Sequence, residues 1–172
     1  MDQIKYTLKF DKAEISSTPV LMEICFSPST PVDFILSANI EYGRYHANQG
    51  IFKTSFSTAC YGYDLFEFTK ELARFDSEYA GECKFTNSLQ DFELKFSLLN
   101  KSKGVVAVEL KYSHLMPSDK CRFCDYVFKG FLTDQSYIRG YIREIDEFLR
   151  ESGVITGRDA VREYETKRRQ NK

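Results

Sequence analysis

A chain of 172 residues is long enough for one domain with a sizeable core, removing roughly 70% of the unfolded surface from water. With 24 Lys and Arg against 25 Asp and Glu, the net charge of -1 provides no field toward nucleic acid or an anionic membrane, and it argues against a wholly acidic nucleic-acid mimic. Hydrophobic and charged shares of 42% and 28% are ordinary for a globular domain, whereas 15 Phe and 11 Tyr make the chain rich in rings that favour sheets.

The chain opens on Met1, Asp2, Gln3, Ile4, Lys5 and Tyr6 without the apolar core of a signal peptide, and no apolar run approaches the ~20 residues that span a bilayer. A cytoplasmic protein is expected, with no membrane and no nucleic acid as partner. Ile4, Tyr6, Leu8 and Phe10 alternate with polar residues, as do Val20, Met22, Ile24 and Phe26, so two early strands are predicted. Pro28 and Pro31 make residues 27–31 a turn. Phe34, Leu36, Ala38, Ile40 and Tyr42 give a third strand, and residues 51–60 a fourth, partly open to water.

Over residues 64–79 the period changes. Leu65, Phe68, Leu72, Phe75 and Tyr79 form one helical stripe, with Asp64 as the expected cap, Glu67 completing a capping box, and Gly81 ending the segment. Residues 82–86 read as a short strand. Phe92, Leu94, Phe96 and Leu98, then Val106, Val108, Leu110 and Tyr112, flank a turn at 100–104 and predict an antiparallel hairpin over 92–112. After Pro117, residues 122–131 give one more strand. Asp134 caps a second helix whose stripe is Tyr137, Ile138, Tyr141, Ile142, Ile145, Phe148 and Leu149, and Ser152 with Gly153 stops it. No internal repeat divides the chain.

The expected architecture is therefore one α+β domain over residues 1–153. It is a mainly antiparallel sheet of about seven or eight strands, strongly twisted or folded into two layers, with both helices packed on it. Residues 154–172, with Arg158, Arg162, Lys167, Arg168, Arg169 and Lys172, form either a polar basic tail or a short surface helix.

Chemistry is thinly represented. Cys121 and Cys124 have metal-ligand spacing, but a zinc site needs about four ligands, no second close pair exists, and His114 or His46 would have to help close it. Five cysteines without an export signal fit reduced thiols. Two histidines limit any nucleophile-base pair, and no Gly-rich phosphate loop, G-x-S-x-G or H-E-x-x-H is present. No catalytic residue, metal or cofactor is assigned, and an enzyme is not expected. Tyr42, Arg44, Tyr45 and His46 lie in a turn dense in the residue types that anchor protein interfaces, and are the candidate binding residues; a hairpin end whose rings cover the sheet edge explains them more simply.

Two segments carry a resemblance. Tyr63, Asp64, Leu65, Phe66, Glu67 and Phe68, continued by Glu71, Leu72, Gly81 and Glu82, and the closing Phe131, Leu132, Thr133, Asp134, Gln135, Ser136, Tyr137 and Ile138, resemble motifs of the WapI-type bacterial immunity proteins. In that family a strand leads to a D-L-x-x-F-x-x-x-L helix, then G-E and two strands, and F-x-T-D-Q-S-Y-L opens the last helix. The likeness covers roughly residues 50–150; the first fifty residues, the Cys121/Cys124 pair and the tail lie outside it. It implies a non-catalytic cytoplasmic protein that binds and blocks the toxic domain of a secreted wall-associated toxin. Two other readings are a small enzyme or metal protein using Cys121 and Cys124, and an accessory protein-binding module.

Overall fold

Alternating apolar residues build almost the whole molecule. The computed structural model describes residues 6–11, 21–29, 33–42, 52–118 and 121–153. Strands β1 (Tyr6–Asp11), β2 (Leu21–Pro28), β3 (Phe34–Tyr42) and β4 (Phe52–Cys60) lead into helix α1 (Gly62–Glu78). Strands β5 (Glu82–Thr86), β6 (Phe92–Asn100), β7 (Val105–Ser118) and β8 (Cys121–Asp134) lead into helix α2 (Gln135–Glu151). Four strands and a helix thus occur twice without a sequence repeat, because burial asks only for alternating apolar positions and not for particular ones.

All pairings are antiparallel, in the order β4-β3-β2-β1-β8-β7-β6-β5. The two halves meet at one described pair, Asp11 opposite Leu132. This is the expected α+β architecture, with eight strands and two packed helices. The sheet is folded back on itself. In a flat sheet β4 would lie about 19 Å from β8 and about 34 Å from β5 at ~4.8 Å per strand. Instead the Phe56 ring of β4 is 5.4 Å from those of Tyr126 and Phe128 in β8, and the Asn87 amide just after β5 reaches the Ala59 carbonyl at 3.2 Å. The two end strands therefore meet along a seam.

One face of the sheet is apolar and carries the helices. Phe34, Leu36, Ala38 and Ile40 of β3, Phe92, Leu94 and Phe96 of β6, and Val106, Val108 and Leu110 of β7 are all buried. Phe68 of α1 sits on Phe85 and Phe96, and Phe148 of α2 on Phe26 and Phe34, so each helix covers a different half. The opposite face carries cross-strand ion pairs, Lys84 with Glu93 at 2.6 Å and Lys95 with Glu82 at 2.7 Å. An antiparallel sheet solvated on one side takes this form.

The 92–112 hairpin has the expected register, from Phe92 opposite Tyr112 to Leu98 opposite Val106. Its turn closes through the Asn100 side chain, which accepts from the Lys103 amide, and through Gly104 at φ 68°. Several boundaries differ from expectation. Helix α1 starts at Gly62 with Tyr61 as its N-cap residue, so Asp64 is the third helical residue; its carboxylate accepts from the Tyr61 amide at 3.3 Å. Strand β2 continues through Pro28, and β7 continues past Tyr112 through Pro117, where the β7–β8 register shifts between Leu115 and Ser118. A residue without an N–H is tolerated at such an irregularity. Strand β8 is correspondingly longer than 122–131. Tyr137 does not join the buried stripe of α2: it is 62% exposed. The expected strand residues Ile4, Val20 and Ile51, the end of the 27–31 turn, and the tail 154–172 lie outside the described residues.

Asp134 does cap α2, accepting from the Ser136 amide at 2.8 Å. The hydroxyl and amide of Ser136 hold its carboxyl below the usual value. A depressed folded pKa stabilises above the unfolded value of about 3.9, and that contribution is lost as pH falls through the lower folded value. Asp134→Ala is expected to cost about 1 kcal/mol at pH 7, and the gap to narrow as pH falls through the lowered folded value, leaving what a neutral cap supplies. Urea unfolding at neutral and acid pH checks it; no loss at pH 7 would refute the cap's role.

Candidate functional site

The candidate turn is only partly placed. Tyr42 ends β3 with its backbone opposite Phe52 of β4, so the residues between them do connect a hairpin. The Tyr42 side chain and all of Arg44, Tyr45 and His46 lie outside the described residues. The cysteine pair lies within β8, where Cys121 pairs with Ser118 and Cys124 with His114 in backbone register. Three residues of extended strand separate their Cα atoms by roughly 10 Å at ~3.3 Å per residue. A disulfide within the pair needs roughly 4.4–6.8 Å. The side chains of His114, Cys121 and Cys124 are outside the described set.

Cys25, Cys60 and Cys83 are buried and in no disulfide. Burial, reinforced by Asp64 and Asp91, pushes the Cys60 thiol far above its ordinary value, and burial pushes Cys83 up to about 12. Both are protonated at neutral pH, the opposite of an activated nucleophile. Among the described residues no group of three or more His, Cys, Asp or Glu side chains is placed to hold a metal, and no helix is long and apolar enough to cross a membrane.

What the fold does assemble is the seam. Asn87 is 1% exposed, and its amide nitrogen donates to Asp91 Oδ1 at 2.7 Å, Thr58 Oγ1 at 3.0 Å and the Ala59 carbonyl at 3.2 Å. Its oxygen accepts from the Phe92 amide at 3.1 Å, and Thr58 donates to Asp91 Oδ1 at 2.7 Å. This network pins the end of β4 to the β5–β6 turn. Beside it Asp64, held at the start of α1, accepts from the amide and hydroxyl of Ser88 at 3.0 and 2.6 Å. Below that anchor, α1 and β5 enclose an open groove of about 400 Å³. Phe68, Phe85, Asp64, Glu67, Glu71 and Lys84 line it, with Glu67 paired to Lys70 at 3.2 Å and Lys84 to Glu93 at 2.6 Å.

A second cleft of about 440 Å³ lies where α1 ends and α2 begins. There Arg139 Nε donates to Asp76 at 3.0 Å, the Gln135 side chain donates to the Asp76 carbonyl at 3.3 Å, and the Gln135 amide donates to the Gly104 carbonyl at 2.8 Å. Those bonds tie the two helices together and leave the cleft a structural junction. None of these long-range polar contacts had a signal in the sequence, since Asn87 and Thr58 are 29 residues apart and Arg139 and Asp76 are 63 apart.

The fold and its seam define an antiparallel α+β domain whose described residues form clefts at the α1–β5 and α1–α2 contacts. Comparison with known proteins finds no matching family model, no matching curated protein and no matching solved structure.

Proposed function

We propose that the protein is a non-catalytic, cytoplasmic immunity protein that binds a cognate bacterial toxin domain and blocks it sterically. The observation that carries this reading is the pair of motifs shared with WapI-type immunity proteins. Residues 63–68 occupy the first turns of α1, and residues 131–138 the β8–α2 junction. Between α1 and the capped α2 the chain runs through Gly81, Glu82 and four strands, β5 to β8, where the resemblance names two strands after G-E. Steric inhibition asks for a well-packed frame and a few buried anchors at the interface, and it needs no reactive group. The frame is supplied by one core cluster running through both helices and the sheet.

The test is co-expression with the toxin encoded beside this chain. Growth is expected to be rescued, and the two purified proteins to co-elute as a stoichiometric complex. Continued toxicity together with no complex overturns the reading.

A further inference from the structure

We draw no further inference here: the strongest candidate, the surface patch where Tyr61 at the start of α1 and Leu89 in the β5–β6 turn stand 45% and 57% exposed about the Asp64 carboxylate, carries nothing because nothing in the structure shows what covers it.

Discussion

Phe148→Ala is expected to lower the unfolding free energy by about 3–5 kcal/mol, the range for truncating a fully buried ring that leaves a cavity. Phe148 is 0% exposed, and its ring centroid lies 5.5 Å from those of both Phe26 and Phe34. Those two neighbours sit on paired strands, β2 and β3, so the backbone behind them cannot collapse into the space without breaking the ladder. With a total stability of about 5–15 kcal/mol for a domain of this kind, the variant would be marginal at 37 °C. Urea unfolding measures the change, with the denaturant slope retained. Phe148→Leu keeps most of the volume and is expected to lose clearly less. Tyr137→Ala, on the exposed side of the same helix, is expected to fall within about 0.5 kcal/mol of the parent. A loss below about 1 kcal/mol for Phe148→Ala would mean that α2 is not held to the sheet through this ring cluster.

The rings that carry that cost were legible in the sequence, because period does not depend on what packs opposite. Phe92 to Leu98 alternate with Glu93, Lys95 and Ser97, and the structure puts ion pairs on one face and core on the other. Helix α2 was legible from Asp134 to Leu149 apart from Tyr137, whose position flanks the stripe but projects beyond the sheet's cover. The start of α1 was misplaced because its N-cap residue is Tyr61, a poor cap by propensity. Asp64 performs half of the capping box from inside the helix, so the strongest local signal stands three residues late. Pro117 marked a break that the fold absorbs as a register shift. The fold-back had no local signature at all: Phe56 reads as an ordinary strand residue until its ring meets Tyr112 at 4.6 Å. The groove shares that origin. Its carboxylates read singly as a cap and a solvated helix face, and become a lining only when β5 is brought alongside α1.

Asn87 is the position where that fold-back is most exposed to a single substitution. Asn87→Ala is expected to cost about 2–3 kcal/mol, since it strands the buried Phe92 amide and removes the donor shared by Asp91, Thr58 and the Ala59 carbonyl. Those partners belong to β4 on one side and the β5–β6 turn on the other, so the loss falls on the seam. Asn87→Asp is more informative because it nearly conserves shape. It sets a carboxylate oxygen where a nitrogen now lies 2.7 Å from Asp91 Oδ1, and two carboxyl groups that close hold one proton between them. The shared proton raises the folded pKa above the unfolded value of about 3.9. Its contribution is then present at low pH and lost as pH rises through the raised value. The aspartate variant should lie nearest the parent around pH 4 and fall progressively behind toward pH 8, whereas the alanine variant should trail by a nearly constant amount. Urea unfolding of the three proteins from pH 4 to 8, with amide exchange in the β5–β6 turn as the local readout, distinguishes these courses. Parallel pH profiles for all three would show that Asn87 does not face Asp91, and the pin across the seam would have to be sought elsewhere.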